Sequence, residues 1–368
     1  MSAFASDFDI LNLAVQSIAP NNKVLFDDKG LPSVMVWVPK MTYAELGLGN
    51  SNDVFPAFVI NGSEVPGIWV SKYQNVVYNS RAYSLPARDP KTSISFDNAL
   101  TYCKNKGAGW HLMTRMEWMA IALWCKKHDC MPLGNNNYGK DVSEDEHVAI
   151  KATSSSDAGH VGDTAHVLTG TGPLTWSHDG TLGGIWDLNG NVWEWVGGIR
   201  AVYGELQVLV TNNAADNTKS QAANSSEWKA ISAADGSFIT PDGTGTTSNA
   251  IRARWKSSHW EWGIETTSDG TTDGKSCTLE SVTCSADISD AAKLILQALG
   301  MFKYDTEAGA YNGDYLYLNS HEAERSFGCG GCWSHGARAG VFCAYGGARS
   351  GAAASFGFRS AYCELPSA

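Results

Sequence analysis

Charge is scarce in this sequence. Asp, Glu, Lys and Arg make up 18% of its 368 residues, against roughly 25% in an ordinary soluble domain. The balance is acidic, with a formal net charge of −11, which argues against a nucleic-acid partner because such binding needs a basic footprint. No apolar run approaches the roughly 18 residues of a membrane helix, so no membrane insertion is expected. The opening MSAFASDFDILNLAVQS carries Asp7 and Asp9 and no early Lys or Arg. It is not a classical secretory signal, and cytoplasmic synthesis is expected. A collagen period, a solenoid repeat, a P-loop, a dinucleotide fingerprint and a Ser-His-Asp elbow are all missing. His321-Glu322-Ala323-Glu324 lacks the second His of a zincin.

Present in quantity are 38 glycines, 14 tryptophans and 43% hydrophobic residues, which is not the composition of a disordered chain. The length suits two to three domains or one large irregular one. Nine cysteines form local groups and, without a signal peptide, read as reduced thiols. Cys277 and Cys284 flank a short segment and would pair only in an oxidising setting.

The hydrophobic periods place a short helix or arm within 1–22 and strands at 33–38, 67–73 and 76–78. Ser95 caps a helix ending at Gly107, and Thr114 with Glu117 forms the capping-box spacing of a second helix. A third helix spans 285–302, with Gly300 as its stop. Residues 211–290 read as polar, with short islands at Ala250–Trp255 and Trp260–Trp262, and Leu206–Val210 reads as a strand. Asp157, His160, Asp163 and His166 share a loop, for which a solvated surface is the simpler reading than a metal site.

Three blocks carry a family resemblance. FDNALTYCKNKGAGWHLMTRMEWMAIAL resembles a helix ending in YC followed by G-x-R-L-P-T-x-x-E-W. IWDLNGNVWEWV matches D-x-x-G-N-V-W-E-W, and GFRSAY at Gly357–Tyr362 matches a GFR before a final strand. MVWVPKMTY is similar to the opening strand. Together these resemble the formylglycine-generating-enzyme (sulfatase-modifying factor) form of the C-type lectin fold, over roughly Val34 to Tyr362 apart from the polar insert. The implied fold is α+β and C-type lectin-like, with two main helices around irregular antiparallel sheets and many loops. The expected division is an N-terminal arm or helix at 1–30 and a domain at 31–368, with a polar insert around 211–310 and a variable ligand-binding region around 325–363.

In the resembling enzymes the GNVWEW turn holds a calcium ion. Carried over by position, the ligands are Asp187, the backbone oxygens of Gly190 and Val192, and Glu194. The alternative is that Glu194 caps amides or pairs with an arginine, and both readings stay open. If Trp193 and Trp195 lie on a strand they share one face and Glu194 takes the other. No cofactor is required beyond such a structural Ca²⁺. The family's two catalytic cysteines fall at His335 and Gly340, so its copper-thiolate chemistry lacks its ligands. Cys329-x-x-Cys332-x-x-His335 with Cys343 is a weak zinc pattern.

Residues 325–363 contain no Lys, Glu, Gln, Met, Asp, Asn, Thr, Leu, Ile or Pro. The positions that look changeable hold residues encoded by NNC codons, the products of randomising adenines in AAC. The layout G-G-x-W-x-x-G-x-x-A-G-V-F…A-R-S…G-F-R resembles the variable proteins of diversity-generating retroelements. That resemblance implies a non-enzymatic binder whose ligand-contacting residues are Cys332, Ser334, His335, Arg338, Cys343, Tyr345, Gly347, Gly351, Ala353, Ser355 and Phe356. The expected partner is a protein or glycan on a cell surface, the expected location a phage virion or bacterial surface, and the N-terminal arm is the expected route to a homo-oligomer. The alternative function is a metal-dependent oxidase or oxygenase of the formylglycine-generating or ergothioneine-synthesis type. Plain Gly/Ala-rich turns closing the fold are the blander account of 325–363.

Overall fold

The computed structural model describes residues 7–152 and 165–366. Of the loop cluster, Asp157, His160 and Asp163 lie outside the described residues; His166 lies within them and bonds Asp89 at 2.6 Å.

Among the described residues are four α-helices: α1 (Asp7–Ile18), α2 (Phe96–Lys104), α3 (Arg115–Lys127) and α4 (Asp290–Ala298). Three of them begin where the sequence offers a cap. Ser95 accepts from Asn98 N ahead of α2, and Ser289 accepts from Ala292 N ahead of α4. Thr114 and Glu117 bond reciprocally at the start of α3, satisfying donors that the first turn leaves free. α3 is buried along most of its length, including Arg115 and Glu117. Burying these two polar groups is tolerable because both are bonded: Glu117 receives His111 Nε2 at 2.9 Å and Asn212 Nδ2 at 3.0 Å, and Arg115 Nε donates to Leu299 O at 2.8 Å.

Two sheets pack against these helices. The smaller runs Asn22–Phe26, Pro32–Pro39, Gly67–Ser71, Ser360–Tyr362, Trp110–Leu112, with every neighbour antiparallel. It places the last strand of the domain between two early ones. The expected arm at 1–30 is therefore too long. Asn22–Phe26 is already a strand paired with Pro32–Pro39, and only α1 stands ahead of it. α1 leaves Ile10, Leu13 and Ile18 more than half exposed.

The larger, twelve-stranded sheet has a spine in the order Lys275–Thr278, Tyr315–Leu318, Gly340–Gly347, Arg325–Gly330, Trp193–Val202, Glu205–Val208, Arg252–Lys256, His259–Gly263, Thr283–Cys284. Its pairings are mostly antiparallel, with parallel steps between Tyr315–Leu318 and Gly340–Gly347 and between His259–Gly263 and Thr283–Cys284. This corrects the reading of 211–310 as a polar insert. The segment supplies spine strands on both flanks, and its Trp260, Trp262, Leu279, Val282 and Leu296 lie in the main core beside α3. Ahead of the helix at its end its apolar residues are sparse, yet they reach the core: Trp262 is fully buried and its indole donates to Met301 O at 2.7 Å.

Candidate functional site: a locked turn beneath an aromatic surface

The GNVWEW segment enters the strand Trp193–Val202 through a turn that only these residues fit. Gly190 has φ +73°, and a Cβ there would lie 2.1 Å from Asn135 O. Asn191 follows at φ +58°, a conformation asparagine tolerates better than most residues. Its side chain accepts from Val167 N at 2.9 Å and donates to Gln74 Oε1 at 2.8 Å. Beyond the turn, strand alternation separates the side chains. Trp193 and Trp195 enter an aromatic cluster with Phe96, Tyr315 and Phe356, while Glu194 points to the opposite side.

There Glu194 meets Arg359, the arginine of the GFR block. Arg359 Nε donates to Oε2 at 2.5 Å and Nη2 to Oε1 at 2.6 Å, a fork geometry that strengthens both bonds. Both side chains are 1% exposed. Nη1 donates to Ser71 O at 3.1 Å and Nη2 also to Trp186 O at 3.0 Å, so every nitrogen of the buried guanidinium has a partner. Gln74 Nε2 donates to Asp187 O at 3.2 Å, Val192 O at 3.1 Å and Glu194 Oε1 at 3.1 Å. Of the two readings of Glu194, the structure shows the arginine pair. The expected calcium set of Asp187, Gly190, Val192 and Glu194 does not fit a cation. An amide nitrogen sits where the oxygens of Asp187, Val192 and Glu194 converge, a guanidinium stands beside it, and Gly190 turns its N–H to Gly330 O at 2.8 Å. Asp187 is buried with Oδ2 accepting from Gly170 N at 2.9 Å and Oδ1 without a partner; burial pushes its carboxyl up to about 6.

On the tryptophan side, the strands Arg325–Gly330 and Gly340–Gly347 carry the region expected to vary. Ser334, Arg338 and Ala353 are exposed, and His335, Tyr345, Gly351 and Ser355 half-buried. His335 packs edge-on to Trp193, centroids 5.1 Å apart, and stacks on Tyr315 at 5.7 Å, with Arg338 over the same tyrosine at 5.6 Å. Tyr345 lies 5.4 Å from Trp193 and stacks on Tyr317 at 4.5 Å. Burial, helped by the nearby Arg338 charge, pulls His335 down to about 4, so the ring is neutral at neutral pH. The exposed loop 348–354 is tied back by Arg349, whose Nε bonds both Asp97 carboxylate oxygens at 3.0 Å.

Four expected contact residues are placed differently. Cys343 is fully buried and Cys332 nearly so. Gly347 is buried against Trp195 and Tyr345. Phe356 is 7% exposed, packed 4.4 Å from Trp195. Cys332, Cys343 and Phe356 are packed into the Trp193 and Trp195 cluster, and Gly347 has no side chain to reach out past Tyr345, so Phe356 supports the surface from below. The zinc pattern also does not assemble. Cys329 Sγ accepts from Arg115 Nη1 at 2.8 Å, Cys332 Sγ faces His335 Nδ1 at 3.0 Å, and among the described residues no group of three or more His, Cys, Asp or Glu is arranged for a metal. Cys277 and Cys284 are not bonded to each other and are free thiols. Sequence reasoning missed Tyr315 and Tyr317, which lie just beyond the supposed insert on the strand Tyr315–Leu318; the alternation of YLYL was the available signal.

Asp314, just ahead of Tyr315, ties the two halves of the surface together. Its Oδ2 accepts from Phe342 N at 2.7 Å, and burial raises its carboxyl to about 7 against the bonds from the Phe342 and Cys343 amides. A raised folded-state value favours the protonated form. Its stabilisation is therefore complete below about 4 and lost as pH rises towards 7. Asp314→Asn is expected to flatten the pH dependence of unfolding free energy across that window; an unchanged slope in urea titrations would refute the assignment. Arg359→Gln strands a buried carboxylate and is expected to lower stability by about 3–5 kcal/mol. Added calcium should leave the wild-type melting temperature unchanged, and a rise of several degrees would show that the oxygens take a cation after all.

A family model described as the sulfatase-modifying factor enzyme 1-like domain matches residues 50–234. No curated protein matches the sequence. Among solved structures, PvdO from Pseudomonas aeruginosa aligns over 92% of this chain and 97% of its own length, at 12% identity and a TM-score of 0.33. The P3c variant of Major Tropism Determinant aligns over 93% of this chain and 71% of that one, at 11% identity and a TM-score of 0.28. The corresponding figures for its M1 variant are 93%, 71%, 10% and 0.30. The family match spans half of the chain and contains α2, α3 and the complete GNVWEW turn; the protein belongs to the sulfatase-modifying factor enzyme 1-like family.

Proposed function

We propose that the protein is a non-enzymatic binder on a C-type lectin-like scaffold, with Ser334, His335, Arg338, Tyr345, Gly351, Ala353 and Ser355 forming its ligand surface. The observation that carries this reading is the sorting of residues within 325–363. The seven residues just named, all of types that NNC codons encode, are exposed or half-exposed, while Trp333 and Arg359, which tie the region to the core, are buried. Tyr345 and His335 are rigid, ring-supported anchors, and the small residues around them make room for a partner, the division of labour seen in antibody loops. Where the family's chemistry needs two cysteines, His335 and Gly340 stand, and the nearby thiols of Cys329 and Cys343 are buried and held protonated, Cys329 at about 11. The surface is diversified by retroelement-directed adenine mutagenesis and serves receptor recognition at a phage or bacterial surface, with a protein or glycan as its ligand.

Sequencing the surrounding DNA tests this directly. The expected finding is a near-copy of the codons for about 329–356, differing only where the copy has adenines, beside a reverse-transcriptase gene. Finding neither would overturn the diversification. Stoichiometric copper or iron in the purified protein would overturn the non-enzymatic reading.

We also propose that copies associate through α1, whose Ile10, Leu13 and Ile18 are exposed and represent apolar area that a partner copy would remove from water. Light scattering should report an oligomer that Leu13→Glu converts to a monomer; a monomeric wild type would end the proposal.

A further inference from the structure

The strand Arg252–Lys256 belongs to the segment that the sequence presented as insert. Alternation puts Ala253 into the core, 3% exposed, and sends Arg252 and Arg254 together to the other face. That face is the floor of a cleft of about 600 Å³, walled by residues 265–271 and 320–323 and by Tyr203. No residue of 329–356 lines it, so nothing below depends on the ligand surface proposed above.

Four Arg, Asp and Glu side chains besides Arg252 line the cleft, and each has a partner for its charge or its oxygens. Arg254 pairs with Glu265. Glu322 pairs with Arg325 at 3.0 Å. Asp269 accepts from Trp255 N at 2.8 Å, Thr271 N at 2.8 Å and Ser320 Oγ at 3.2 Å. Arg252 differs. It is 7% exposed, its Nη2 donates to Tyr203 O at 2.7 Å, and its Nη1 has no acceptor. Its cross-strand neighbour Glu205 is no remedy, because that carboxylate is occupied by Thr247 N at 2.9 Å and Gln207 Nε2 at 2.8 Å. Arg254 Nε, two residues along on the same face, also has no acceptor. Arginine stays charged under all ordinary conditions, and a buried cationic donor left unbonded is costly. Arg252 Nη1 and Arg254 Nε, unbonded among the described residues, are donors that match the planar oxygens of a carboxylate.

The volume exceeds what a lone inorganic ion fills and falls in the range of small-molecule sites. The rim is rich in hydroxyls, Thr266, Thr267 and Ser268 among them, suited to a polyhydroxylated ligand. Tyr203, 42% exposed, offers an aromatic face at the edge.

From this we infer that the cleft over Arg252 and Arg254 is a second binding site, and that its ligand is an acidic saccharide whose carboxylate meets the two arginines. The sugar ring lies against Tyr203 and its hydroxyls meet the threonine rim.

The test is calorimetric titration of the full chain with glucuronate, glucose and inorganic sulfate in turn. Glucuronate is expected to bind, glucose not to bind, and sulfate to bind at least tenfold more weakly than glucuronate. Arg252→Gln should weaken glucuronate binding about tenfold or more. Should that variant fail to fold, Tyr203→Asn, at an exposed position of φ +46° that asparagine accepts, is expected to weaken glucuronate severalfold while leaving the melting temperature unchanged. Absence of glucuronate binding, equal binding of glucose or of sulfate, or binding that neither variant alters would overturn the proposal.

Discussion

The buried fork between Glu194 and Arg359 joins the two sheets. One partner lies on the strand that leads the larger sheet, the other just before the last strand of the smaller sheet. A charge pair this deep is stable only if every remaining donor and acceptor is also met. Here the Ser71 and Trp186 carbonyls accept from Arg359 and the Gln74 amide donates to Glu194, so separate stretches of sequence meet in one buried network. The turn at Gly190 and Asn191, the inward tryptophans and the outward strands beyond them all take their positions from this point. The Gln74 amide gathers the oxygens of Asp187, Val192 and Glu194 at this point, with the Arg359 guanidinium beside it.

With the underside locked, the opposite side can vary. Trp193, Trp195 and Phe356 form an aromatic floor that makes no demand on Ser334, Arg338 or Ala353, because those side chains point away from it. Tyr345 and His335 are intermediate: each rests on a ring of the floor and shows its other side to solvent. Arg349, bound to Asp97, holds the ends of the exposed loop to α2, so small residues within the loop need not supply structure themselves. A surface of this design tolerates substitution without losing its shape.

The segment 211–310 serves the scaffold. Its tryptophans fill the core beside α3, and one of its strands borders Tyr315–Leu318, which in turn sets Tyr315 and Tyr317 under His335 and Tyr345. It also brings Arg252 and Arg254 to the floor of a separate cleft. Loop-like composition on its outer side conceals a sheet on its inner side.

Much of this was legible in the residues alone. Ser95, Thr114 with Glu117, and Ser289 announce three helices by local hydrogen bonding, and the alternation W-E-W separates core from lock before any neighbour is known. The codon-limited composition of 325–363 is likewise a property of sequence. What sequence could not decide was partnership across distance. Glu194 was equally consistent with calcium or with an arginine; the choice fell to Arg359 and Gln74, 165 and 120 residues away. Cys343, Gly347 and Phe356 belong to the same compositional class as Ser334 and Arg338, and only the packing against Trp193 and Trp195 buried the first three. Local order follows from short-range bonding and period, which a sequence displays. Burial and charge pairing follow from which distant strands become neighbours, and that is settled only when the whole chain packs.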